Sequence, residues 1–416
     1  MNSYCDKIRA HDSSKDPGLE SDARYKPDIV FYDPTKHDPI KNASKDGVTS
    51  FQRIELFVEF KRGSGSDPFA ETDKPGGPEQ FHKYSEATCA TRGQMTVYST
   101  HMQMYQFRTC VFSVGIFDKV ARLFRWDRAG AIVSAPIEYS KKGNRELSEF
   151  FYRFNLMDSA QRGWDPSVCD ATPEDADAFT QAIRTAVGGK NAALLESLLE
   201  SVGDPGDYPR KKINVIYGAG EEDQASYIVG RSSVSAKSPT GRATRGYVAM
   251  NAKTKKLVFL KDSWRLDMTE VKPEGHWYKR LEGGEYIAAF AHGSDVGCIK
   301  QGGKVKKGGK VRPQCTITQH HSKTWGRLER MMGYIHHRTV QSEFYIPLKM
   351  FKDSKNLTQI MYDALLGKPP LPPARCTDSH PTFSNTVRLR EGDLSSRHQR
   401  REHHDHCGRP GSPHRL

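Results

Sequence analysis

Two sets of residues in this chain have the types and spacing to do chemistry. The first begins with Gly241-Arg-Ala-Thr-Arg-Gly246-Tyr-Val248, which fits the pattern G-x-[G/A]-x-x-G-x-V at Gly241, Ala243, Gly246 and Val248. A turn of this kind lets backbone N–H groups close over nucleotide phosphates. The strand before it reads as ending near Val234, so the lid begins either at Gly241 or earlier, around Gly230. An apolar run, Val258-Phe-Leu-Lys261, then ends in a single lysine suited to α- and β-phosphates. Glu274 follows, opening a segment whose Trp277, Tyr278 and Leu281 recur at helical spacing. A glutamate on such a helix holds the strand lysine in place.

The second set lies upstream. Pro27-Asp28 and Glu59-Phe-Lys61 together form the PD-(D/E)XK pattern. Asp28 and Glu59 at neighbouring strand ends would bring two carboxylates together for Mg²⁺, a hard ion that prefers oxygen ligands. Lys61 shares a strand face with Glu59, since side chains alternate along a strand. It would position or activate a water attacking a phosphodiester, with the metal stabilising the transition state.

Several elements must position these groups. Residues 26–31 and 53–61 read as strands, and residues 93–107 as a helix carrying Gln94 and Tyr98. Residues 110–117 and 121–127 alternate like sheet strands, with Trp126 as an aromatic anchor and Asp127 and Gly130 in a hairpin turn. Residues 146–156 form an amphipathic helix. Thr172-Pro-Glu-Asp starts another helix, and residues 192–199 are again helical, so 171–207 reads as a helical linker. A second region starts near Tyr208, with a further strand at 286–292, a last strand and hinge over 338–348 and a helix at 356–365.

Three blocks resemble the fungal-type protein kinase-like family: Gly241-Arg-Ala-Thr-Arg-Gly246, Phe259-Leu-Lys-Asp-Ser-Trp-Arg265 and Glu274-Gly-His-Trp-Tyr-Lys-Arg-Leu281. Upstream, Arg122-Leu-Phe-Arg-Trp-Asp-Arg-Ala-Gly130 with Val133-Ser134, and Gln161-Arg-Gly-Trp-Asp-Pro166, match it as well, so the resemblance covers roughly residues 24–366. It implies a multidomain α+β/α/β chain: a family N-terminal region over 24–170, then a kinase-like N-lobe with the start of a C-lobe over 208–366. That N-lobe is a five-stranded antiparallel sheet plus a helix. The resemblance also implies ATP and Mg²⁺ as cofactors and Ser/Thr-type phosphotransfer, with Gly241, Ala243, Gly246, Val248, Lys261 and Glu274 at the nucleotide. The residues around Asp28, Glu59, Lys61, Gln94 and Tyr98 resemble RecB-type nucleases, which implies a restriction-endonuclease-like core and a nucleic-acid substrate.

The chain departs from the kinase pattern after its hinge. No HRD-type catalytic loop with a downstream Asn, and no DFG, occurs in these residues. His337-Arg338-Thr339 has Thr where the base Asp belongs and precedes the hinge. Phosphotransfer is therefore expected to be absent, leaving an inactive kinase-like chain, a nuclease or a non-catalytic binding module. Residues 1–23 read as a disordered N-terminus and 367–416 as a disordered basic tail with His403, His404 and His406, while Lys300 to Arg312 reads as a solvated Gly-Lys insertion.

At 416 residues the chain is long enough for two or three domains. A hydrophobic content of 36% and mean hydropathy of −0.70 leave a good part for loops. The net charge of +13 favours acidic partners, nucleotide or nucleic acid. Cys5, Cys89, Cys110, Cys169, Cys298, Cys315, Cys376 and Cys407 contain no CxxC pair and read as reduced thiols of an intracellular protein, in cytoplasm or nucleus. No apolar run approaches the ~18 residues of a membrane span, so no membrane partner is expected.

Overall fold

The computed structural model describes residues 5–14, 25–36, 49–70, 81–187, 192–218, 223–234, 238–281, 287–297, 312–325, 331–344, 346–348, 351, 353–366 and 386–387. They fall into two compact units, Met1–Glu282 with Ala289–Phe344, and Gly283–Ala288 with Tyr345–Leu416. The architecture is mixed α/β, and both large sheets lie in the first unit.

The first sheet has the order β1 (Arg9–Asp12), β2 (Ile29–Tyr32), β3 (Ile54–Lys61), β4 (Val111–Phe117), β5 (Val120–Asp127) and β6 (Gly130–Val133). Only β3 and β4 pair in parallel, and helix α1 (Glu86–Tyr105) connects them. Strand β3 is buried on both faces, so Ile-Glu-Leu-Phe-Val reads as a nearly continuous apolar run. Phe57 packs under α1 with Met95, Tyr98 and Met102. Leu56 and Val58 pack on the other face under Phe151 and Phe154 of α2 (Glu146–Leu156). Helix α1 begins well before the expected residue 93 because Ser85 caps it, accepting the Thr88 N–H.

The N-terminus corrects an expectation. Within the segment expected to be disordered, Arg9–Asp12 pairs antiparallel with β2. Three of its four side chains, Arg9, His11 and Asp12, are polar, as suits an edge strand, and backbone pairing holds it. Cys5 and Ile8 supply the apolar anchors, both buried in the α2-side cluster.

The second sheet is antiparallel throughout, in the order β12 (Phe290–Asp295), β13 (Tyr334–Gln341), β11 (Leu257–Leu266), β10 (Arg245–Asn251), β9 (Gln224–Val229), β8 (Lys211–Ile216) and β7 (Val168–Asp170). It curls, so that β12 reaches back to the far strands. Ser294 Oγ donates to the Ile216 carbonyl, and His292 Nε2 meets the Tyr227 hydroxyl at 3.0 Å. The inside is filled by Ile213, Val215, Tyr227, Tyr247, Leu260 and Val340.

The segment expected to link the two regions is instead part of this body. Strand β7 already belongs to the second sheet. Helices α3 (Pro173–Val187) and α4 (Ala192–Val202) bury Phe179, Ile183, Leu198 and Val202 against Ile228, Val248 and Met250. Their apolar stripes required a partner, and the outer face of β9 and β10 supplies it. The strand expected at 286–292 runs over Phe290–Asp295, and α5 (Glu274–Arg280) begins at the expected glutamate.

In the second unit, β14 (Ile346–Pro347) pairs with β15 (Thr386–Val387), and α6 (Ser354–Leu366) leaves Met361, Tyr362 and Leu365 exposed. Apart from Thr386–Val387 and Arg312, the expected basic tail and Gly-Lys insertion lie outside the described residues. No helix among the described residues is long and apolar enough to cross a membrane.

Candidate functional site

The upstream residues gather on the α1-facing side of the first sheet. Asp28 stands just before β2, and its Oδ2 accepts the Phe60 N–H at 2.7 Å. Lys61 Nζ donates to Glu59 Oε1 at 2.6 Å. Gln94 Nε2 donates to the Tyr98 hydroxyl at 2.7 Å, and that hydroxyl donates to the Lys26 carbonyl at 2.9 Å. Glu59 is only 2% exposed, yet its Oε2 has no hydrogen-bond partner among the described residues. Burial pushes the Glu59 carboxyl up to about 7; the Asp28 charge adds to this, and Lys61 opposes it. Burial likewise lifts the Tyr98 phenol to about 12, with the Glu59 and Asp28 charges contributing.

An orphaned oxygen on a carboxylate that feels the charge of a second one, Asp28, suits a divalent cation. Asp28 and Glu59 would hold it, with water completing the shell. Among the described residues no cluster of three or more His, Cys, Asp and Glu gathers for a metal, so Asp28 and Glu59 are the carboxylates this site offers.

The downstream residues meet on the second sheet. Lys261 sits on β11 with Gly246 directly opposite on β10 and Thr339 opposite on β13. Glu274 is the first residue of α5, and Lys261 Nζ lies 2.9 Å from its Oε1 and 2.7 Å from its Oε2. Gly246 is required by its neighbour, since a Cβ there would sit 2.8 Å from Phe259 Cζ.

The glycine segment before it is engaged elsewhere. Gly241, at φ +93°, donates its N–H to the Arg128 carbonyl at 2.9 Å. The Arg242 carbonyl accepts the Trp264 N–H, and Ala243 is buried. Gly230, the other possible start of the lid, is packed too: a Cβ would fall 2.3 Å from Arg210 Nη1 and from the Val202 carbonyl.

Sequence reasoning missed a third constellation. Arg338 on β13 is fully buried, with Nη2 2.6 Å from Asp165 Oδ2, Nη1 2.6 Å from Ser167 Oγ and Nε 3.3 Å from Asp262 Oδ2. His336 Nε2 meets Asp262 Oδ1 at 2.6 Å and its Nδ1 meets Gln314 Oε1 at 2.7 Å, while Gln314 donates back to Asp165. The Trp264 indole stacks on the His336 ring, 4.7 Å between centroids. Burial alone would raise both carboxyls, but His336 and Arg338 hold Asp262, and Arg338 and His336 hold Asp165, well below the usual range. The same holds for Asp295, where Arg265 and His337 outweigh burial.

Asp127 does more than close its hairpin. Its Oδ1 accepts the Ala129 N–H, and its Oδ2 accepts the Ile317 and Thr318 N–H groups from the second sheet's side. The signal for these contacts was present as the blocks around Trp126-Asp127, Trp164-Asp165 and Asp262-Ser-Trp264, but nothing in sequence paired them.

The Fungal protein kinase family model matches residues 82–372, and the chain belongs to that family. Lys261, Glu274 and the buried Asp165–Arg338–Asp262 network lie inside the match, whereas Asp28, Glu59 and Lys61 lie outside it. Searches of curated proteins and of solved structures returned no match.

Proposed function

We propose that this chain is a protein-kinase-like member of its family that retains the lysine–glutamate clamp of a nucleotide-binding lobe without transferring phosphate. The ion pair between Lys261 and Glu274 carries this reading. Protein kinases place the lysine on the third strand of their N-lobe and the glutamate on the helix that follows. Here β9 to β13 supply five consecutive antiparallel strands, Lys261 lies on the third, and Glu274 opens the next helix. The clamp would orient the α- and β-phosphates of ATP.

The other half of the chemistry rests on motifs that these 416 residues do not contain. Kinase Mg²⁺ ions are held by the DFG Asp and the catalytic-loop Asn, and an Asp of the catalytic loop takes the hydroxyl proton. No such motif follows β13 in these 416 residues, so the residues present do not fit that ion. Arg338 is committed to Asp165 and Asp262, and Thr339 offers no carboxylate. The reading predicts ATP binding that Lys261→Ala abolishes, with no transfer of labelled phosphate to a Ser/Thr peptide; Lys261-dependent transfer would overturn the inactivity.

A second reading, from another class, rests on the orphaned Glu59 Oε2 beside Asp28, with Lys61, Gln94 and Tyr98 around it. It describes a restriction-endonuclease-like core acting on nucleic acid, which the net charge of +13 favours. A Mg²⁺ ion held by Asp28 and Glu59 would stabilise a phosphodiester transition state, and Lys61 would orient the attacking water. Magnesium-dependent nicking of plasmid DNA that disappears in Lys61→Ala supports it; nicking unchanged in that variant refutes it. The free thiols of Cys5, Cys89, Cys110, Cys169 and Cys315 accord with an intracellular setting, cytoplasm or nucleus.

A further inference from the structure

The face of the second sheet that carries Lys261 is already covered by the chain's own helices. Gly246 stands opposite Lys261, Val248 opposite Phe259 and Met250 opposite Leu257. Ile228 stands opposite Met250 on the other side. Directly opposed residues of an antiparallel pair share a face, so all of these line one surface. Its polar end holds Lys261 with Glu274, and its apolar end holds Ile228, Val248, Met250 and Leu257.

A nucleotide with phosphates at Lys261 needs an apolar wall for its base on the same face. That wall lies beneath Phe179 and Ile183 of α3 and Leu198 and Val202 of α4. Ile228 and Met250 are fully buried and Val248 is 5% exposed. Two arginines fasten the end of α4. Arg231 donates from Nη2 to the Glu200 carbonyl, from Nε to the Ser201 carbonyl and from its backbone N–H to the Val202 carbonyl. Arg210 donates to the Val202 and Gly203 carbonyls, with its guanidinium 5.5 Å over the Phe179 ring. Cationic donors on the last carbonyls of a helix are favourable both as hydrogen bonds and against the helix dipole.

The geometry points to α3 and α4 as an intramolecular plug: their docking and the docking of a nucleotide base on the Lys261 face exclude one another. The inference rests on the Lys261 reading above and adds what regulates access to that site. Because coupling is reciprocal, a nucleotide that binds must loosen the helices by the same factor as the helices weaken the nucleotide.

The test is hydrogen exchange on the full chain with and without a fluorescent ATP analogue, whose binding is read in parallel. At saturating nucleotide, amides of α3 and α4 should exchange faster while those of residues 246–261 slow. The double variant Arg210→Ala, Arg231→Ala, which replaces neither Lys261 nor Glu274, should bind at least ten-fold tighter than the native chain. The native-chain exchange result stands whether or not that variant folds. Nucleotide bound with α3 and α4 fully protected overturns the plug and leaves the Lys261 reading standing. Absence of binding, even in a variant whose helices exchange freely, removes the nucleotide reading itself.

Discussion

Replacing Asp165 by Asn tests whether the two sheets form one cooperative body. Asp165 and Arg338 are each about 1% exposed at the side chain, and the pair spans from the end of the first region to β13. The carboxylate accepts from Arg338, from Ser167 Oγ and N–H, and from Gln314. The substitution keeps the shape but sets an amide against a buried guanidinium that retains only Asp262, Ser167 and a carbonyl. Breaking a buried pair from one side costs about 3–5 kcal/mol, because the remaining charge is left without its partner. Urea unfolding followed by fluorescence should show that loss as one transition, since Trp126 and Trp164 report on the first region and Trp264 on the second. In a cycle with Arg338→Met the two losses should fall short of adding by about 2 kcal/mol or more. A loss under about 1 kcal/mol, or separate unfolding of the two regions, would refute the reasoning.

Glu59 should behave in the opposite sense, as a group kept at a cost to stability. Its rise from 4.5 to about 7, at about 1.36 kcal/mol per pH unit, sets a ceiling of about 3 kcal/mol on that cost. A raised carboxyl favours the folded state below its unfolded value, loses that advantage between about 4.5 and 7, and carries the whole cost above 7. With metal chelated, Glu59→Gln should therefore stabilise by about 1–3 kcal/mol at pH 8 and change little at pH 4.5; equal effects at both pH values, or destabilisation at pH 8, would contradict it. Lys61→Ala should steepen that slope, because Lys61 opposes the rise of the Glu59 carboxyl; on the nuclease reading it also removes magnesium-dependent nicking, which a plasmid relaxation assay reads.

Much of the sheet framework was legible because its residues obey strong local rules. Strands β3, β4 and β5 alternate or run apolar, α2 shows a clear amphipathic period, and Glu274 begins α5 at the residue expected. The gathering of Asp28, Glu59, Lys61, Gln94 and Tyr98 also followed from pattern, since each sits at the end or on the inner face of a recognisable element. What escaped was set by partners distant in sequence. Arg9-Ala-His-Asp12 has no apolar period, and only β2 makes it a strand. Residues 171–207 read as a linker because the face that their helices bury against lies on β9 and β10. Asp165, Asp262 and Arg338 are three ordinary charges until the fold removes water from all of them together. The pinning of Gly241 by Arg128 likewise depends on a contact that no local pattern encodes.

The most direct test of the account is titration of the native chain and of Lys261→Ala with a fluorescent ATP analogue in magnesium. The account predicts saturable but weak binding by the native chain, held down by α3 and α4, and none by Lys261→Ala. Binding of equal strength in both proteins would contradict it, because the Lys261–Glu274 clamp would then have no part in holding the phosphates.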